Sequence, residues 1–247
     1  MPLTCGNVRP KWSEVAVAPP VRGGKLGAWR TWPMTDRYLS VAREGVHEIE
    51  IKRSRFLGAL APVTSEEAAR EFIAARRRAD PGARHHCHAF VLGPDGRTQR
   101  SSDDGEPAGT AGTPMLEVLR RRELTNTVAV VTRYFGGVLL GAGGLIRAYG
   151  QSVSDALEVV GVLEHRRLRL VEVAVSYDRA GRLENDLRAS PYLLHATRFD
   201  ELARFEIGLA PGEADAFHGW LADLTNGEAA TTPLGDHWVT SGRQGRE

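Results

Sequence analysis

Thr127-Val128-Ala129-Val130-Val131-Thr132 is an unbroken run of small and β-branched residues, and five glycines follow between positions 136 and 144. Such a run suits a strand buried on both faces at the centre of a sheet. The glycines let the backbone bare its N–H groups, and a helix starts at about Leu145 and runs to Val160. Strand, glycine turn and helix N-terminus in that order build an anion pocket, because unpaired N–H groups and the positive helix end converge there. The candidate residues are Arg133, Tyr134, Gly136, Gly137, Gly141, Gly143, Gly144 and Arg147, with the two arginines supplying mobile charge. No Gly-Lys-Ser/Thr follows and the spacing is not that of a dinucleotide fingerprint. A plainer reading is that the glycines only allow close helix–sheet packing.

The rest of the chain supplies partners for that strand. His47-Glu48-Ile49-Glu50-Ile51 alternates as a strand does, and Phe56 to Val63 continues it after Lys52-Arg53-Ser54-Arg55. Thr64-Ser65-Glu66-Glu67 reads as a capping box with Thr64 at the cap, opening a helix that buries Ala69, Phe72 and Ile73 and stops at Asp80-Pro81-Gly82. Cys87 to Leu92 is a short strand closed by Gly93-Pro94-Asp95-Gly96, and Thr113-Pro114 starts a second helix with Thr113 as cap. Gly161 and Arg166-Arg167 mark a boundary. Beyond it, strands at 168–176, 192–197, 205–209 and 229–234 and helices at 179–189 and 214–224 give the order βαββαβ, the ferredoxin-like split unit. The expected class is therefore α+β in two domains: a β-α domain over residues 44–161 and the ferredoxin-like one over 165–240. Residues 1–40 are expected to be a disordered leader, with Met34 as the translation start, and 241–247 a tail; Trp12, Trp29 and Trp32 fall in that leader.

Charge and cysteine content narrow the function classes. Lys+Arg 32 against Asp+Glu 31 gives a net charge of +1, so no global basicity marks a polyanion binder. Residues 46–160 carry 15 cations and 14 anions, whereas residues 165–240 carry 8 and 12, which leaves only the first half as a polyanion reader. Cys5 and Cys87 cannot make a disulfide framework, which places the chain in a reducing cytoplasm. The longest uncharged run, Tyr134 to Ile146, is far shorter than the ~20 residues of a membrane span.

Two further clusters bear chemistry. Ser102, Asp103, Asp104, Glu106 and Thr110 lie in one loop, Ser101 to Pro114. Its three carboxylates suit a hard cation or a general base, but Asp and Gly are also turn residues, and the loop is read as support for the arginine site. His85-His86-Cys87-His88 invites a zinc or thiol reading. Strand geometry sends His86 and His88 to one face and His85 and Cys87 to the other, so the four cannot share an ion. No metal and no cofactor are expected, and no catalytic residue is assigned.

Arg53-Ser54-Arg55-Phe56, Ala83-Arg84-His85-His86-Cys87, Ser102 to Gly112, and Arg133 to Leu145 resemble the YigZ-type bacterial proteins of the IMPACT family, over about residues 44–240. The resemblance adds Arg53, Arg55 and His85 to the candidate anion or nucleic-acid site. It implies a first domain like the second domain of a small-subunit ribosomal protein and a second like the last domains of elongation factor G. It also implies a role in regulating translation; the eukaryotic partner-binding region has no counterpart here. The expected function is a cytoplasmic, non-catalytic binding protein. RNA or the ribosome would meet its N-terminal domain and protein partners its C-terminal one. The rivals are a hydrolase or transferase acting on a phosphate- or carboxylate-bearing small molecule, and a protein–protein adaptor.

A truncation starting at Met34 is expected to melt within about 2 °C of the full chain, since a disordered end buries little. A larger fall in a thermal melt would show that one of the leader tryptophans docks on the body.

Overall fold

The computed structural model describes residues 36–242. The expected leader up to Thr35, its tryptophans and Cys5, and residues 243–247 lie outside them. The protein is α+β with two sheets, one in each domain.

In the first sheet, β2 (Gly45–Ile51), β3 (Ser54–Pro62), β4 (His85–Leu92), β5 (Thr98–Ser102) and β6 (Thr127–Tyr134) lie in the order β2-β3-β6-β4-β5, all antiparallel. The run at 127–132 is the central strand because both its faces are covered. Val128 and Val130 pack with Phe90 and Ala69 under α1 (Glu66–Ala79). Ala129 and Val131 pack with Met115 of α2 (Gly112–Arg121) and with Leu145 and Val153 of α3 (Ala142–Val160). Two buried faces leave no polar alternation to write, hence the continuous apolar sequence.

The second sheet holds β7 (Val162–Val175), β8 (Leu193–Phe199), β9 (Ala203–Leu209) and β10 (Ala230–Gly242), with α4 (Tyr177–Ala189) and α5 (Ala214–Thr225). Its antiparallel order β10-β7-β9-β8 is that of the ferredoxin-like unit. Val171, Val173 and Val175 alternate inward onto Leu183, Phe205 and Phe217. The Asn226-Gly227 signal ends α5 with both residues at positive φ, 53° and 78°.

Several boundaries differ from those expected, each for a non-local reason. Residues 37–40, assigned to the leader, join Val41 in β1 (Arg37–Val41), which pairs with β7 from Arg37↔Arg166 to Val41↔Val162. Val41 is nevertheless buried in the core of the first domain, and Thr125 N–H donates to the Leu39 carbonyl at 2.8 Å, so β1 is shared between the domains. Gly161, at φ 73°, turns α3 directly into the fourteen-residue β7, and no linker interrupts it at Arg166-Arg167. β5, unmarked by alternation, gets its ladder from β4.

Lys52 and Arg53 do not carry a strand onward: they are a two-residue hairpin turn, both at positive φ (48° and 64°), with Ile51 opposite Ser54. Left-handed backbone costs a non-glycine residue roughly 1–2 kcal/mol, and the turn is held from outside. Gly136 lies so close that a Cβ there would sit 1.9 Å from the Arg53 carbonyl oxygen, and its N–H donates to Ser54 Oγ at 3.2 Å.

The caps shift too. Ser65, not Thr64, accepts the Ala68 N–H at 3.1 Å. α2 starts at Gly112 without using Thr113, and α3 starts at Ala142, three residues before Leu145.

Helix α3 crosses β3 at Gly58, where a Cβ would lie 2.6 Å from the Ser152 carbonyl oxygen and 2.7 Å from its hydroxyl. Gly58→Ala is expected to lower stability by about 1–3 kcal/mol, the usual cost of overpacking. An unchanged urea midpoint would refute this reading of the contact.

Candidate functional site

The acidic loop between β5 and α2 uses each carboxylate on a different element. Asp103 Oδ1 accepts the N–H groups of Ala111 (3.0 Å) and Gly112 (2.8 Å), and Oδ2 that of Gly109 (2.8 Å). It therefore caps α2 from across the loop, in place of Thr113. Burial alone would raise the Asp103 pKa, but the Gly109, Gly112 and Ala111 N–H bonds outweigh it and hold the carboxyl below the usual range. Asp104, at φ 41°, accepts from Arg77 (2.7 Å) and from the His86 N–H (2.7 Å), and its carbonyl accepts from His85 Nδ1 (2.9 Å). Ser102 Oγ accepts the Asp104 N–H at 3.3 Å, and the Thr110 hydroxyl donates to the Pro107 carbonyl at 2.7 Å.

Glu106 points inward. Its Oε1 accepts Arg133 Nη1 at 2.6 Å and the Tyr149 hydroxyl at 2.9 Å, and the two charged side chains are 4% and 8% exposed. Cys87 Sγ continues the buried chain, 2.9 Å from the Asp103 carbonyl and 3.4 Å from the Tyr149 hydroxyl. Burial pushes the Cys87 thiol up to about 12, so no thiolate is available as a nucleophile near neutral pH. Burial likewise keeps His86 and His88 below the ordinary histidine value. Among the described residues no three His, Cys, Asp or Glu side chains converge as a metal site.

These contacts wall a cleft of about 700 Å³ at the head of α3. Gly82, Arg84 and His85 form one side, Glu106 and Pro107 another. The end of β6 with Phe135 just after it, the connection into α3 (Leu139 to Gly141) and Ala142 and Leu145 of α3 complete it. Of the expected residues, His85, Arg133, Tyr134 and Gly141 line it together, with Glu106 of the supporting loop. Gly141, at φ 74°, precedes α3, which has neither a side-chain cap nor an acidic residue in its first turn. Its positive end is therefore uncompensated. Gly143 and Gly144 lie in that first turn, and Gly136, against the hairpin, and Gly137, in the connecting loop, are outside the lining.

The arginines do not behave as mobile charge. Arg133 is buried and ion-paired with Glu106, because a charge at the end of a central strand must be partnered. Arg147 is exposed on α3 but outside the cleft lining. Arg55 is gripped by Glu48 through two bonds (2.6 and 2.9 Å) and lies 5.3 Å from the Tyr134 ring centre, and Arg53 is exposed at the hairpin turn. Tyr134 donates to Asp80 at 3.2 Å.

The exposed cation of the cleft is Arg84, which forms no salt bridge among the described residues. It was passed over in the sequence, although it stands beside His85 in a motif already noticed. Phe135 and Leu139 were also missed; the signal was their place in the glycine-rich connection, Phe135 just before Gly136-Gly137 and Leu139 between Gly137 and Gly141. One further polar atom faces no partner: Arg133 Nε is buried without a hydrogen bond.

Residues 52–157 match the Impact N-terminal domain, and residues 173–228 match a domain of unknown function, DUF1949. The IMPACT family member YvyE of Bacillus subtilis is 46% identical over 196 residues, covering 79% of this chain and 90% of the relative. The IMPACT family member YigZ of Escherichia coli is 38% identical over 180 residues, covering 72% and 88%. A solved structure, described as the crystal structure of a hypothetical protein, aligns at TM-score 0.53 and 35% identity, covering 81% of this chain and 98% of its own.

Asp103→Asn weakens three bonds to backbone N–H groups and is expected to cost about 1–3 kcal/mol at pH 7. A carboxylate with a lowered native pKa stabilises fully above its unfolded value of about 3.9 and loses that contribution as pH falls through the native value. Urea titrations at descending pH should therefore show the wild-type advantage shrinking below about pH 4. A gap independent of pH would contradict the charged cap.

Proposed function

The chain belongs to the IMPACT family, and from that premise we propose that it is a cytoplasmic binding protein acting on translation, which holds an RNA phosphate in the cleft at the head of α3. The observation that carries this reading is the convergence of the uncapped helix start and exposed Arg84 on one concavity. Unsatisfied N–H groups at a positive helix end favour an anion, and an arginine fork adds charge-assisted bonds to phosphate oxygens. Binding is favoured over hydrolysis by the use of the acidic loop: Asp103 and Asp104 accept from the protein's own donors, and Glu106 neutralises Arg133.

If the ligand is RNA, affinity must fall with salt, at roughly −0.7 in log–log slope for each phosphate neutralised on a single strand. Arg84→Ala is expected to weaken binding of a short single-stranded RNA by the full chain and to flatten the slope by about 0.7. Arg147→Ala should leave both unchanged. Unaltered affinity in Arg84→Ala at matched ionic strength would remove the site assignment.

A further inference from the structure

A phosphate accounts for only half of the cleft. Phe135 is 55% exposed and Leu139 is 82% exposed, and both line the cleft with the start of α3. Apolar side chains left open to water at a concave site signal a ligand surface that covers them. The Phe135 ring also has the Arg133 guanidinium over it, 5.6 Å from its centre. A ring backed by a cation and still open to solvent is a stacking shelf. The volume of about 700 Å³ far exceeds one phosphate group and falls within the usual range for a whole small ligand.

We infer that the cleft takes one unpaired nucleotide, its phosphate at the head of α3 beside Arg84 and its base against Phe135, with Leu139 as a second apolar contact. This rests on the phosphate reading above and adds a requirement to it. In a duplex the base faces are covered by their neighbours, so a paired strand presents phosphates but no base face. Free mononucleotides and unpaired strands share this chemistry.

Fluorescence anisotropy of the full chain separates the alternatives, with four probes at one salt concentration: a short single-stranded RNA, its duplex, an abasic strand of equal length, and AMP as competitor. The abasic strand and the duplex should bind about tenfold more weakly than the single strand, a modest value for loss of one stacked base. Phe135→Ala and Leu139→Ser should reduce single-strand affinity to the abasic level and leave abasic binding unchanged. Leu139 is too exposed for its loss to unfold the domain, so that variant remains informative if Phe135→Ala is unstable. Displacement by AMP identifies the free nucleotide as the source, and its failure identifies the strand. Equal affinity for single strand, duplex and abasic strand would overturn the base contact while leaving the phosphate reading intact. No salt-dependent binding of any strand would overturn both.

Discussion

The Arg133–Glu106 ion pair, 2.6 Å long and almost wholly buried, is the contact on which the first domain is organised. It ties the acidic loop to the end of the central strand, and the Tyr149 hydroxyl brings α3 into the same knot. Neither charge can be left alone there: removing one partner from such a pair costs about 3–5 kcal/mol, because the other remains buried and uncompensated. Around it the loop is held at each turn, Asp103 on the start of α2 and Asp104 on Arg77 of α1 and the backbone of β4. A loop rich in glycine and aspartate thereby becomes a rigid wall.

That wall decides the electrostatics of the cleft. Arg133 would dominate the site if it were free, but Glu106 consumes its charge and leaves Arg84 and the end of α3 as the attractive elements. A buried, compensated Arg133 beside one exposed cation suits a ligand that carries both charge and apolar surface, which matches the exposed Phe135 and Leu139 in the same lining. The Gly136 contact is part of the same construction, since it seats the β6–α3 connection against the β2–β3 hairpin and so aims Phe135 outward.

The domains are coupled by β1. Its ladder belongs to β7, its Val41 to the first core, and its Tyr38 ring stacks on His165 at 4.4 Å. Ser40 and His165 add a hydrogen bond at 2.8 Å between residues 125 positions apart. The second domain has its own core, with Phe205, Ile207 and Phe217 at its centre.

Local signals were legible in the sequence. The central position of the run at 127–132, the βαββαβ order, the stop at Asp80-Pro81-Gly82 and the Asn226-Gly227 cap each depend on neighbours a few residues apart, where periodicity and backbone preference act. The glycine-rich turn was also legible as the place where a helix end stays uncapped. Tertiary structure decided what the charges do and where the short strands pair. Glu106 lies 27 residues from Arg133, and β1 lies more than a hundred from β7, so no local pattern encodes either meeting. An arginine looks equally free in a sequence whether it ends in solvent, like Arg84, or in a buried pair, like Arg133. Desolvation and the position of the opposite charge separate the two, and both are properties of the folded chain.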